Sequence, residues 1–114
     1  MIHPLWQEYP VIHRQLKQVQ TLLAARTHCR VPAVDAQIQA QIHAGGKMLR
    51  AGALLLFARF GEAEERQLVY AAAALETLHL ATLVHDDVLD AAAVRRGVDT
   101  VAADSGNRAA IYAG

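Results

Sequence analysis

The stretch LVHDDVLD at residues 83–90 ends an apolar run with three carboxylates, Asp86, Asp87 and Asp90. Asp86 and Asp90 stand four apart, so on a helix they are neighbours and repel by roughly 0.2–0.5 kcal/mol. Acids at a helix C-terminus also oppose the helix dipole, at about 0.3–1 kcal/mol each. Paired carboxylates held against such costs suit a hard cation. His79, Thr82, Asp86 and Asp90 fall on one stripe of that helix. Oxygen donors without cysteine point to Mg²⁺, which takes one or two carboxylates and fills its octahedron with water and phosphate oxygens. The alternative for the same acids is a solvated helix end.

Two cationic groups could complement them. In AGGKMLRAG, residues 44–52, Lys47 and Arg50 are three apart in the first turn of a predicted helix that follows Gly45 and Gly46. Cations there oppose the dipole unless an anion joins them, and glycine amides, a helix N-terminus, Lys and Arg together make a phosphate cradle. A Walker A loop needs Ser or Thr after its Lys, whereas this chain has Met48. Arg95 and Arg96 follow the acids, where a returning loop could bring them over a metal-bound diphosphate. For both pairs the alternative is plain surface charge. His79 faces the acidic stripe. His85, six residues on, points elsewhere and reads as structural. A His-based zinc site fails because Leu75 and Leu83 occupy the positions four away from His79, and His3, His13, His28 and His43 share no face.

These residues need helices to place them, and the composition supplies helices. The 114 residues are 54% hydrophobic but only 5% aromatic, and period-two β-branched runs are missing. Helices are predicted over residues 5–28, 33–43, 47–60, 62–90 and 101–113, punctuated by Pro32, Gly45, Gly46, Gly61 and a loop at Gly97. In the fourth, Leu68, Ala72, Leu75, Leu78 (or His79), Thr82 and Asp86 recur at three- and four-residue steps, over more than about 40 Å. The length allows a single domain with a real core. A net charge of zero gives no electrostatic case for nucleic acid or an anionic membrane. Cys29 is alone, so no internal disulfide is possible, and it reads as a small half-buried thiol. The start MIHPLWQEYP does not read as a signal peptide. The longest uncharged apolar run, AGALLLFA at 51–58, is far short of the roughly 18–20 residues of a membrane span. No transmembrane segment and a cytoplasmic protein are therefore expected.

In this order the pieces resemble the all-trans polyprenyl diphosphate synthase family. GGKMLR at 45–50 is similar to its GGKxxRP motif. ETLHLATLVHDDVLDAAAVRRG at 76–97 is similar to its first aspartate-rich region, with DDxxD at residues 86–90 and paired arginines after it. The resemblance covers about residues 40–114. It implies an all-α fold, the N-terminal part of the isoprenoid synthase helical bundle, with residues 1–114 a single partial domain. It further implies a trans-prenyltransferase, usually homodimeric, that condenses isopentenyl diphosphate with an allylic prenyl diphosphate. Asp86 and Asp90 would bind Mg²⁺ gripping the allylic diphosphate, with Asp87 supporting them as the third catalytic acid. Arg95 would contact that diphosphate, while Lys47, Arg50, His79 and Arg96 would hold isopentenyl diphosphate. Ala81 and Thr82, both small, would form the floor of the chain-elongation pocket, which implies a medium- or long-chain product.

Two positions depart from the family pattern: Ala51 replaces a usual Pro, and Met48 a common basic residue. A second aspartate-rich motif, carried by a later helix in the family, is not among these residues, so the piece alone is expected to be inactive. Another reading is a non-catalytic helical subunit of a heteromeric prenyl synthase, although such a subunit has no need of costly acids. A generic helical interaction domain is the third reading, and it predicts no Mg²⁺-dependent diphosphate binding.

Overall fold

Each of the three prolines opens a helical segment in the computed structural model, which describes residues 2–114. Pro4 begins a 3-10 turn, Pro4–Glu8. Pro10 opens α1, Pro10–Arg26, and Pro32 opens α2, Pro32–Ala44. Proline's fixed φ suits a first turn, whose N–H groups have no helical partner. Then come α3, Leu49–Ala58, and α4, Glu65–Leu89. A short antiparallel hairpin of β1, Val94–Arg95, and β2, Val98–Asp99, precedes α5, Val101–Ala113, which kinks at Gly106. Thr100 is fully buried and caps α5: its hydroxyl accepts from the Ala103 amide and donates to the Ala92 carbonyl.

The all-α expectation holds, with local corrections. The predicted helix over 5–28 divides at Tyr9 (φ −125°), because the residue before a proline is pushed out of the helical region. The helix predicted from 47 starts at Leu49, since Met48 is left-handed (φ 52°). The long helix starts at Glu65 rather than 62 and runs about 37 Å for its 25 residues. The loop expected at Gly97 is instead a hairpin turn. Arg96 (φ 55°) and Gly97 (φ 76°) are both left-handed, the geometry of a two-residue turn that matches strand twist. With two residues per strand, no periodicity could announce it.

α4 is the central element and packs against α1, α3 and α5. Leu16 and Val19 of α1, Ala51 and Leu55 of α3, Ala72 and Leu80 of α4, and Val101 and Ala110 of α5 are buried in one core. Ala51 and Ala72 let the helices approach closely. Trp6 is buried flat against α3, so close that a Cβ on Gly52 would lie 2.2 Å from two of its ring carbons. The stripe read from Leu68 to Asp86 is buried at Ala72 and half-buried at Leu68 and Leu75, but its second half turns outward. Leu78 is 64% exposed, and Thr82 and Asp86 also face outward. The inward line is Val69, Ala72, Ala73, Glu76, Leu80, Val84 and Asp87, and it includes two acids. By length and composition alone, α4 is also long and apolar enough to cross a bilayer, which the longest uncharged run did not reveal. In this fold its buried face packs against α1, α3 and α5.

Candidate functional site

The turn between α2 and α3 is shaped by its backbone and held from a distance. Gly45 takes a positive φ (65°) to end α2, and Met48 closes the turn in the left-handed region. The Trp6 indole donates to the Lys47 carbonyl at 2.7 Å, which pins the turn to the core while the Lys47 side chain stays exposed. Arg50, in the first turn of α3, reaches across to α4 and donates to His79 Nε2 at 3.2 Å. That bond requires an unprotonated Nε2. Consistent with it, His79 titrates below the usual imidazole range, first because of burial and then because of the Arg50 charge, while Glu76 pulls the other way.

The hairpin turn supplies the other wall. Arg96 donates to the Gln41 carbonyl at 3.1 Å and lies over the Gly46 backbone, where a Cβ would meet its Nε at 3.2 Å. The second glycine of GGK is thus a landing place for Arg96. Partial burial lowers the Arg96 pKa, with the Glu76 charge opposing that shift. Arg95 leans the opposite way and donates from Nε to Asp87 Oδ1 at 2.7 Å, with Nη2 2.6 Å from the same oxygen. This bond raises the Arg95 pKa. Lys47, Arg50, Glu76, His79, Arg95 and Arg96 line one open pocket of about 230 Å³. All five basic groups picked out from the sequence therefore meet in one place.

The three acids divide into two kinds. Asp87 is 2% exposed and satisfied by Arg95, so its placement at the helix end is offset within the fold. Asp86 and Asp90 are exposed, and neither forms an ion pair or side-chain hydrogen bond among the described residues. Only the Arg95 charge, on which both act without a direct contact, offsets their cost. Ala81 lines a separate apolar cavity of about 100 Å³ with Leu80 and Val84, whereas Thr82 faces outward and bonds the His79 carbonyl. His85 bonds the Ile111 carbonyl, in keeping with its structural reading. Cys29, in the α1–α2 connection, is half-buried, and its amide donates to Asp35 in the first turn of α2.

Three contributors escaped the sequence reading. Trp6 and Gln41 act through the partner of an indole N–H and a main-chain carbonyl, which leave no pattern. Glu76 did leave a signal: it is a lone acid in the apolar stretch of α4, three residues before His79.

Fold and site together define a helical bundle that gathers basic side chains into one pocket, with an exposed carboxylate pair on the same central helix. Residues 31–114 match the polyprenyl synthetase family, and the chain belongs to that family. It is 48% identical over 73 residues to heptaprenyl diphosphate synthase component 2 of Geobacillus stearothermophilus, covering 64% of this chain and 23% of that one. Geranylfarnesyl diphosphate synthase of Methanosarcina mazei is 30% identical over 109 residues, 96% of this chain and 35% of the relative. The crystal structure of geranylgeranyl pyrophosphate synthase from Lactobacillus brevis superposes with a TM-score of 0.91 at 41% identity, over 96% of this chain and 34% of that one. The fold is thus the all-α isoprenoid synthase fold, and the chain spans between 23% and 35% of the length of these relatives.

Proposed function

We propose that this chain carries the isopentenyl-diphosphate pocket and one carboxylate face of a trans-prenyltransferase, which joins isopentenyl diphosphate to an allylic prenyl diphosphate. The observation that carries this is the convergence of Lys47, Arg50, His79, Arg95 and Arg96 on one pocket from three separate segments. With Asp87 matching Arg95 and Glu76 the one carboxylate lining the pocket, the basic groups remain in excess, which an anion of high charge would match. Lys47, Arg50, His79 and Arg96 hold the isopentenyl diphosphate in this reading. Arg95, oriented by buried Asp87, turns toward the acids and the allylic diphosphate.

Asp86 and Asp90 suit Mg²⁺: they are hard oxygen donors, exposed and unpaired. Among the described residues no cluster of three His, Cys, Asp or Glu forms a complete cage, so substrate oxygens and water would fill the remaining positions. Bound there, the ion would neutralise charge on the departing diphosphate. The chain's own residues bind and orient the two diphosphates. Since only one carboxylate face lies within these residues, the reading includes no turnover by the 114 residues alone. Small Ala81 in its apolar cavity supports a medium- or long-chain product, and Ala81→Phe in a complete synthase should shorten it.

Calorimetry with inorganic pyrophosphate tests the pocket. The wild-type chain should bind it, Arg50→Ala should weaken binding at least about tenfold, as for loss of a charge-assisted contact, and no binding by the wild type would overturn the reading. A second reading draws on the name of the Geobacillus relative, one component of its synthase. The chain would then belong to a heteromeric synthase rather than a homodimer. Co-purification of a different chain in stoichiometric amount would support that assembly; a single species in the purified enzyme would favour the homodimer.

A further inference from the structure

Glu76 is 4% exposed, yet it is a charged residue at the middle of the central helix. Its Oε1 accepts a hydrogen bond from the Ala51 amide at 3.2 Å. Ala51 is the third residue of α3, whose own N-cap, Met48, is left-handed and offers no capping side chain. The first amides of a helix lack helical partners and need an acceptor. Here the acceptor arrives from another helix, 25 positions along the chain. The same carboxylate lines the pocket with Arg50, His79 and Arg96. Its charge acts on both His79 and Arg96, in the direction that favours their protonated forms. The other charges acting on His79 are all cationic: Arg50 on α3 and Arg95 and Arg96 from the hairpin.

We propose that Glu76 is a positioning residue of the diphosphate pocket: it caps α3 in trans, fixing Arg50 opposite His79, and serves as resident counter-charge to the cationic cluster. It rests on the anion-pocket reading above and adds a residue that touches no substrate. Its two roles separate chemically. Glu76→Gln keeps an oxygen for the Ala51 amide and removes the charge, whereas Glu76→Ala removes both.

The test uses the whole 114-residue chain, with His79 followed by NMR and assigned through a His79→Gln spectrum, and with inorganic pyrophosphate as probe. In Glu76→Gln the His79 midpoint should fall by roughly half a pH unit, the order expected for a unit charge one helical turn away. Pyrophosphate should bind this variant about threefold or more tightly, because a competing negative charge is gone. Glu76→Ala should lose affinity relative to Glu76→Gln and melt at a lower temperature. An unmoved His79 midpoint in Glu76→Gln overturns the counter-charge role. Equal affinity and equal melting temperature for the two variants overturn the capping role. Failure of the wild type to bind pyrophosphate would instead strike the pocket reading, while the His79 titration would still decide for or against Glu76.

Discussion

Gly52→Ala sets local preference directly against packing. Gly52 lies inside α3, where alanine is favoured over glycine by about 0.8–1 kcal/mol. The added methyl, however, would sit 2.2 Å from two ring carbons of Trp6, which is itself only 5% exposed and cannot swing into solvent without leaving the core. Overpacking of this kind costs about 1–3 kcal/mol. Displacing the ring also breaks the indole bond to the Lys47 carbonyl, at about 1 kcal/mol. Subtracting the propensity gain leaves a net loss of about 1–3 kcal/mol, a fall in melting temperature on the order of 5–10 °C for a chain of this length. Thermal circular dichroism at 222 nm measures it, and tryptophan fluorescence reports on Trp6, the only tryptophan. Trp6→Leu in the same background should relieve the clash, so the double variant should be less destabilised than the sum of the singles. Pyrophosphate affinity should fall with the stability, because the Lys47 turn loses its anchor. A melting temperature equal to or above wild type would refute the reasoning.

Other substitutions probe the acids and the imidazole. Asp87→Ala should cost about 1–3 kcal/mol in urea unfolding, since the half-buried Arg95 loses a charge-assisted hydrogen bond to a buried carboxylate. Asp86→Ala with Asp90→Ala should do the opposite, raising stability by a few tenths to about 1 kcal/mol through relief of like-charge and dipole repulsion. The same double variant should abolish the Mg²⁺-dependent part of pyrophosphate binding measured by calorimetry. His79 has a folded pKa below its unfolded value of 6.5, so its stabilising contribution is complete above about pH 6.5 and is lost as pH falls through the lowered folded value. An anion beside it draws the proton back, so pyrophosphate binding near pH 6 should take up protons, as calorimetry in buffers of different ionisation enthalpy would show.

Much of the architecture was legible because local signals and tertiary packing agree. Proline and glycine punctuation located five helices to within a few residues, and GGKMLR and DDVLD marked the two ends of the site through charges placed against their helix dipoles. The errors fall where a distant residue overrides the local pattern. The inward face of α4 carries Glu76 and Asp87 in place of the outward-facing Leu78 and Thr82, because the Ala51 amide and the Arg95 guanidinium satisfy those acids. The hairpin escaped notice because Arg96 is an unusual residue for a left-handed turn position, held there by the Gln41 carbonyl and the open space over Gly46.

From the order of residues alone one obtains the helices, the charged motifs and the chemistry they suit, since all of these depend on neighbours within about one helical turn. Which acids are buried and which stay open to a cation, and that five basic groups share one pocket, follow only from helix-on-helix packing. Contacts spanning 25 to 58 positions, such as Ala51 to Glu76 and Gln41 to Asp99, set those distances. No local pattern encodes which face of α4 meets them.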